Sequence, residues 1–441
     1  MYKKFFLLSF YIALVTYSQA QNIQQTWNIK QAIEYAQSHA PAIKLSQAEV
    51  KAAQNTQLGA ISNMIPQISS SLSLNNNYGS TINPNTNARE AMNSRYIPFS
   101  IGANIDLINW NNIMNLKYAG LNKQYAAYQA QAATHKMILE IIQKFYQYQY
   151  DKEWVNIVAQ QVASIDQQIA YVEKEVEIGT RTKSDIYDIK ANMGTLKEQY
   201  ISAKNTAQLS KNALLQALAI DKDTINFANP LKQDEMLLKT DDKTSDIETI
   251  IRNNPAYKAS RKNIEVQQQL LRVAQSNFLP NIYGFYNYST FYSERLNMTT
   301  PVTPWKEQFK NNKSQVWGLT LSIPIFNRLE TIKNVRYAKI NKEKALYENE
   351  QNNLLLRNMI TQMVTQLNLS KEKYELMEDN FQYQKLSFEK SEQRYKEGII
   401  DAYTFYMVRN NWLNTNFNLV KNRNEYLMQK TLLYFLQHES L

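Results

Sequence analysis

The sequence predicts a mainly α-helical protein in which long antiparallel coiled-coil helices are combined with four β-strands per chain. Three observations support this fold class. Apolar residues recur every three or four positions through long stretches that contain no proline. Four short segments alternate between apolar and polar residues, as half-buried strands do. The same order of segments then occurs a second time along the 441 residues.

Residues 1–20 have the features of a secretory signal peptide. Lys3 and Lys4 precede a short apolar stretch and a small-residue cleavage site at Ala20, so we expect an exported protein. The sequence contains no cysteine, which argues against disulfides, thiolate metal sites and a lipid anchor attached through cysteine. The formal net charge of +10 is spread along the helical stretches, so a nucleic acid partner is not expected.

The two halves of the sequence resemble each other. Two proline-containing segments recur at a spacing of 214 residues, and Gly179 recurs as Gly398 at a spacing of 219. We therefore predict a tandem duplication, with a first structural repeat at residues 21–226 and a second at 227–441. Each repeat is expected to contain a long helix, a pair of strands and a pair of long helices.

The paired helices are predicted from coiled-coil periodicity. They cover about residues 111–178 and 184–219 in the first repeat, and about 328–397 and 402–437 in the second. The glycine between the members of each pair marks their antiparallel turn. At 1.5 Å per residue the longer helices would extend roughly 100 Å. The apolar seam of the first helix consists of Val155, Val158, Val162, Ile165, Ile169, Val172 and Val176.

The four strands are predicted over about residues 66–77, 98–109, 280–292 and 315–326. Three of the segments have one clearly apolar and one polar face, while the third in sequence order is aromatic on both faces. Aromatic residues also flank the segments, which is typical of strands in membrane barrels. A sandwich or a half-buried sheet would produce the same alternation. The smallest membrane barrels have about eight strands, so a barrel built from this chain would need several copies.

An enzymatic function is not indicated. The histidines His39, His135 and His438 are scattered, and the sequence has no HExxH, G-x-S-x-G, Walker or GxGxxG motif. Its 13 methionines do not cluster as a metal-binding series would. We therefore expect no catalysis, no cofactor and no metal.

The whole plan resembles the TolC-like outer-membrane efflux factor family. The features that carry the resemblance are the duplicated order of elements, Pro66 and Pro280 at the changes from helix to strand, residues 107–111 (LINWN) and 323–327 (IPIFN), and the Tyr395-x-x-Gly398 turn. The resemblance implies a homotrimer in which four strands per chain form one 12-stranded barrel and the helices form a periplasmic tunnel. It also implies outer-membrane lipid, a periplasmic adaptor protein and an inner-membrane pump as partners.

By the same resemblance, the turns between the long helices lie at the periplasmic mouth. Thr180, Arg181, Asp185 and Asp188 match a family motif in which acidic side chains ring the aperture and an arginine tethers it. Tyr395 matches a tether tyrosine. The predicted adaptor-docking turns consist of Gly179, Thr180, Gly398 and Asp401.

This chain departs from the family pattern in one respect. The arginine and the acidic pair are associated with the second half of the family sequence, whereas here the second half carries Ile400, Thr404 and Met407 at those positions. A purely structural role also stays open: Asp185 and Asp188 could complement the dipole at a helix start, and Arg181 could be a solvated turn residue.

The function expected from these features is a passive exit duct that receives substrates from an inner-membrane pump. Two other functions remain possible from the sequence. A general diffusion porin would share the barrel strands without needing helices of this length. An exported coiled-coil scaffold or adhesin would share the helices without needing the alternating strands.

Overall fold

The computed structural model describes residues 26–82, 86–91, 93–221, 225–228, 246–296 and 301–438. The predicted signal peptide lies outside these residues. The chain forms two compact units. The tip unit consists of Met1–Leu45, Ala132–Asn254 and Leu355–Leu441, and the sheet unit consists of Ser46–Gln131 and Pro255–Leu354. Each unit therefore contains segments from both predicted repeats.

The helices follow the predicted order. They are α1 Ile29–His39, α2 Pro41–Ser62, α3 Trp110–Glu177, α4 Lys183–Ala217, α5 Ile247–Asn253, α6 Pro255–Ser276, α7 Trp305–Asn311, α8 Glu330–Lys396 and α9 Ala402–His438. The four long helices, α3, α4, α8 and α9, begin and end within about two residues of the expected positions. Among the described residues, no helix combines the length and the apolar character needed to cross a membrane.

The first long helix expected in each repeat is divided in two by a proline. Ala40 separates α1 from α2 with ψ 128°, and Asn254 separates α5 from α6 with ψ 127°. Pro41 and Pro255 directly follow these residues and begin the next helices. The proline ring clashes with the preceding residue in the helical conformation, yet proline itself fits the first helical position. The break is therefore local and leaves both segments helical.

The coiled-coil seam of α3 and α4 is packed as the periodicity predicts. Val158, Ile165 and Val172 are at most 1% exposed, and Ile189 on α4 is fully buried. Ile165, Val172 and Ile189 belong to the tip core, a cluster that also contains Phe405 from α9. Burial of so many aliphatic side chains, at roughly 25 cal/mol per Å² of apolar surface, is the main stabilising contribution to the antiparallel pair.

A second cluster in the tip unit surrounds a small sheet that the sequence did not predict. Strands β1 (Thr26–Trp27) and β7 (Asn226–Phe227) pair in parallel. Phe227 is 1% exposed and meets the ring of Phe145 edge-on at 6.0 Å. A strand of two residues is too short to show an alternating pattern in the sequence, so these strands are identified only from the structure.

The sheet unit contains the principal sheet. Its strands are β2 Gln67–Leu72, β3 Asn75–Asn77, β6 Ser94–Ile108, β8 Asn281–Arg295 and β9 Ser314–Ser322, while β4 Ser80–Ile82 and β5 Arg89–Ala91 form a separate hairpin. The antiparallel order is β2-β6-β8-β9, with β3 continuing the pairing of β2 along β6. The last strand was expected to reach residue 326, but it ends at Ser322. Pro324 lacks the amide hydrogen that a strand interior requires, which explains the shorter strand.

The register places most apolar residues of β2, β6 and β9 on one face of the sheet, whereas β8 has aromatic side chains on both faces. Phe99 is opposite Leu72 on one side and Thr290 on the other, and Ile101 is opposite Tyr288. On the reverse face, the hydroxyls of Ser71 and Ser100 lie 2.8 Å apart. We call these the apolar face and the polar face. The apolar face is largely exposed, with Ile68 at 73%, Leu319 at 70% and Trp317 at 76% of the full side-chain exposure.

Candidate aperture and docking site at the helix tips

Two turns end the paired helices of the tip unit, one between α3 and α4 and one between α8 and α9. Gly179 adopts φ +81° in the first turn and Gly398 adopts φ +70° in the second. In both, the glycine amide donates to a carbonyl three residues back and the next amide donates to a carbonyl five residues back. This is the Schellman motif, in which the left-handed residue is usually glycine because it has no Cβ.

The helices that leave the two turns are capped by different side chains. Asp185 Oδ2 accepts hydrogen bonds from the backbone amide of Thr182 at 3.1 Å and from its hydroxyl at 2.9 Å. In the second turn, the amide of Thr404 donates to Asp401 Oδ1 at 2.7 Å. These hydrogen bonds from Thr404 hold the pKa of the Asp401 carboxyl below its ordinary value. Both aspartates therefore satisfy local donors near a helix start.

Arg181 links the first turn to the second. Its Nη2 donates to the backbone oxygen of Tyr395 at 2.6 Å, and its guanidinium carbon lies 3.9 Å from the centre of the Tyr395 ring. Its Nε also forms an ion pair with Glu175. The Arg181 side chain is only 11% exposed. The arginine thus makes a charged hydrogen bond, an ion pair and a cation–π contact at once, which the guanidinium geometry allows.

Tyr395 is held in an aromatic stack. The side chain is 3% exposed, and its ring lies 4.7 Å from that of Phe405 at an interplanar angle of 5°. The ring of Tyr406 packs at 6.4 Å. Burial raises the pKa of the Tyr395 hydroxyl, although the nearby Arg181 charge acts in the opposite direction. The stack fixes the carbonyl and the ring face to which Arg181 binds.

A buried arginine lies further along α9. Arg409 is fully buried, and its Nη2 donates to the backbone oxygen and to the side-chain oxygen of Gln161, both at 3.1 Å. Its Nε and Nη1 have no hydrogen-bond partner among the described residues. Burial lowers the pKa of Arg409 to about 10, because the charged form is poorly solvated. The tip core therefore contains a cation that is only partly compensated.

The structure brings some of the predicted aperture residues together and separates others. Arg181 and Tyr395 are in direct contact. Asp185 is half-buried at the start of α4, whereas Asp188 is exposed one turn further on. Of the predicted docking residues, the hydroxyl of Thr180 donates to the Glu175 carbonyl within its own turn at 2.9 Å.

Sequence reasoning missed Glu175 and Arg409. Glu175 lies four residues before the turn glycine, at the position that Arg394 occupies in the second repeat, so the change of charge between repeats was a usable signal. Arg409 gave no signal, because a single arginine in a long helix is usually exposed.

The comparisons with known proteins identify the family. The family model described as outer membrane efflux protein matches residues 32–219 and 247–436, one segment in each predicted repeat. The chain belongs to the outer membrane efflux protein family. A search of curated proteins finds no match.

Solved structures of outer-membrane channels share the fold of this efflux protein. CusC, described in terms of transmembrane channel formation, is similar with a TM-score of 0.79 and 13% identity, covering 92% of this chain and 91% of its own. The outer membrane protein VceC of Vibrio cholerae gives a TM-score of 0.76 at 16% identity, covering 92% and 95%. The CmeC outer membrane channel of Campylobacter jejuni gives 0.76 at 18%, covering 92% and 84%.

The membership confirms three expectations from the sequence: the resemblance to TolC-like efflux factors, the fold class and the role as an exit duct for efflux. The family is one of outer-membrane transport channels.

Proposed function

We propose that three copies of this chain form one duct, in which four strands per copy close a 12-stranded barrel and the long helices form the periplasmic tunnel. The supporting observation is that the principal sheet is open at both of its outer strands. Strands β2 and β9 are at its two ends, so each presents a free edge in a single chain. Unpaired strand edges are not tolerated within lipid, because nothing there can satisfy the backbone groups.

The two faces of the sheet support the same assembly. The exposed apolar face is suited to hydrocarbon, and the polar face, with its serine and asparagine side chains, is suited to a water-filled lumen. Closing the sheet with copies of itself would place the first face outside and the second inside. The tunnel would then conduct passively, and the energy for export would come from an inner-membrane pump.

We place adaptor docking on the turns around Gly179 and Gly398 of the tip unit. The turn residues Thr180 and Ile399 are exposed, and each turn is closed by backbone hydrogen bonds of its own. Rigid, exposed turns at the ends of long helices are suitable contact points for a periplasmic adaptor protein. Thr180 and Asp401 would lie in that contact.

The proposed aperture consists of Arg181, Tyr395, Asp185 and Asp188. Arg181 and Tyr395 would hold the two helix pairs of one chain in a closed arrangement, and adaptor binding would separate them. Asp188, which is exposed, is the better placed of the two aspartates to face a shared throat. Three copies of this carboxylate around an axis would attract cations. The carboxylate of Asp185 is already engaged by Thr182.

The assembly is tested with the full-length protein purified in mild detergent. Native mass spectrometry should give a species of three copies, and planar lipid bilayers should show discrete channels. A single-copy species without conductance would contradict the proposal. Replacing residues 176–182 and 395–401 by short flexible loops distinguishes the efflux duct from a general porin. A porin would keep its uptake after this change. The efflux duct should lose both adaptor crosslinking and export.

The aperture is tested by the ion selectivity of the same channels. Asp188→Asn should reduce the preference for cations over anions, because one carboxylate per copy is neutralised. Glu198→Gln, an exposed acidic residue of α4 further from the turn, is the matched control and should leave selectivity unchanged. An unchanged cation preference in Asp188→Asn would remove this residue from the throat.

A further inference from the structure

Helix α7, which lies between β8 and β9 in the sequence, packs on the apolar face of the sheet. The hydroxyl of Thr290 donates to the carbonyl of Phe309 in α7 at 2.8 Å. Gln308 exchanges two hydrogen bonds with the backbone of Ser293, accepting at 2.9 Å and donating at 3.0 Å. Gln308 is 8% exposed. A buried side chain that satisfies strand backbone on both its donor and acceptor sides fixes α7 in place.

A groove of about 970 Å³ lies between α7 and the apolar face. Its floor includes Phe99 and Tyr288, which are on the apolar face of β6 and β8, and its wall includes Trp305 and Phe309 from α7. This volume is in the range of sites that bind small molecules or single lipid chains. Most of the groove lining is apolar, and the groove is continuous with the surface that we assign to membrane lipid.

One end of the groove is basic. Lys310 and Lys313 line it, both are exposed, and neither has an ion pair with a carboxylate within the part of the chain that the structure describes. Glu294 on β8 is paired with Arg95 at 2.8 Å and accepts a hydrogen bond from the hydroxyl of Tyr292 at 2.5 Å. Two lysines therefore remain available to a ligand.

We propose that this groove binds a phosphate-bearing lipid, with an acyl chain between Phe99 and Trp305 and the phosphate on Lys310 and Lys313. The inference rests on the proposed barrel, which places the apolar face in the membrane. Aromatic side chains beside lysines at the edge of an apolar surface match the chemistry of an acyl chain ending in an anionic headgroup.

The position of α7 indicates which leaflet of the membrane supplies the lipid. It lies in the connection between β8 and β9, at the strand ends opposite those that lead to α3 and α8. In the proposed assembly these are the external ends of the strands. The occupant is therefore the phosphorylated glycolipid of the outer leaflet rather than a glycerophospholipid of the inner leaflet.

The site is tested by native mass spectrometry on the detergent-solubilised full-length assembly, titrated with a bisphosphorylated, acylated glucosamine disaccharide. We expect Lys310→Gln with Lys313→Gln to weaken binding about tenfold or more, because each basic residue contributes to holding the phosphate. Lys333→Gln with Lys339→Gln, two exposed lysines of α8, is the matched control and should bind as the wild type does. Equal affinity of the Lys310 and Lys313 variant and the wild type would overturn the proposal.

A second measurement needs no variant. The wild type should bind the dephosphorylated disaccharide and phosphatidylglycerol more weakly than the bisphosphorylated form. Equal binding of the dephosphorylated form would refute the phosphate site, and tighter binding of phosphatidylglycerol would refute the assigned source. Copy number and conductance are recorded on the same sample, so failure of the duct is distinguished from failure of the lipid site.

Discussion

The turn between α3 and α4 and the turn between α8 and α9 have the same backbone but contrasting side chains. Both are Schellman motifs closed by a glycine with positive φ. The first turn is charged, with Glu175 and Arg181 flanking its glycine. The second is aromatic, with Tyr395 before its glycine and Phe405 after it. The backbone of the predicted repeat has been retained while the side-chain chemistry has diverged.

This divergence makes the two tips complementary. Arg181 reaches the carbonyl and the ring of Tyr395, but the residue equivalent to Arg181 in the second repeat is Ile400, and the residue equivalent to Tyr395 in the first is Val176. The reciprocal contact cannot form. The two helix hairpins are therefore joined by one contact, from Arg181 of the first to Tyr395 of the second. The contribution of each turn to stability can be measured separately.

The largest loss of stability should come from a substitution in the aromatic turn between α8 and α9. Phe405 is fully buried and stacks on Tyr395, so Phe405→Ala should reduce the stability of this tip by about 3–5 kcal/mol. Its counterpart in the first repeat, Ile186, is half-buried, so Ile186→Ala should cost less. Hydrogen exchange of tip peptides in the intact assembly measures both. Equal losses would show that the aromatic stack adds nothing specific.

The next largest loss of stability should come from removal of the contact between Arg181 and Tyr395. Arg181→Ala removes a charged hydrogen bond to a buried carbonyl and the ion pair with Glu175, which we expect to cost about 1.5–3 kcal/mol. Hydrogen exchange should accelerate in both tips, and the open probability of single channels should rise.

Two controls accompany this variant. Arg181→Lys keeps the charge but loses the planar fork, so it should recover only part of the contact. Arg394→Ala removes an exposed arginine of the other tip and should change stability by less than about 0.5 kcal/mol. Faster exchange confined to the first turn in Arg181→Ala would mean that the contact does not couple the tips.

The sequence predicted the parts of the molecule that depend on local periodicity. The bounds of α3 and α8, the buried seam through Ile165 and the sidedness of the strands all follow from residue spacing. The two turn glycines were also predictable, because glycine after a helical seam marks its end. Periodicity alone predicts one helix where the structure has α1 and α2, although Pro41 marks the break in the sequence.

The contacts across the tips could not be predicted in the same way. Arg181 and Tyr395 were each selected, but they are 214 residues apart and at non-equivalent positions of the repeats, so no spacing rule pairs them. The burial of Arg409 depends on how four helices pack, which periodicity does not specify. For Asp185, both a cap and an aperture role were open, and the structure shows the hydrogen bonds of a cap.

A smaller loss of stability is expected when either turn glycine is replaced by alanine, and it tests whether the two turns have the same backbone conformation. Gly179→Ala and Gly398→Ala should each cost about 1–2 kcal/mol, since an added Cβ meets no atom within 4 Å and only the positive φ is penalised. Gly194→Ala, in the exposed interior of α4, should instead stabilise the protein by about 0.5–1 kcal/mol. Thermal unfolding of the three variants provides the comparison. A clear difference between the two turn variants would contradict a shared motif.

The smallest effect should be a pH dependence of the second tip. The pKa of Asp401 is lowered by hydrogen bonds from Thr404, so its cap stabilises fully above the ordinary value near 3.8 and is lost as pH falls through the lowered folded value. Asp401→Asn keeps an acceptor that does not titrate. The difference in melting temperature between wild type and Asp401→Asn should therefore be constant from about pH 7 to pH 5 and should shift against the wild type in stronger acid. Other carboxylates titrate in both proteins and cancel in this difference. A difference that stays constant through the acid range would show that the Thr404 amide does not depend on the Asp401 charge.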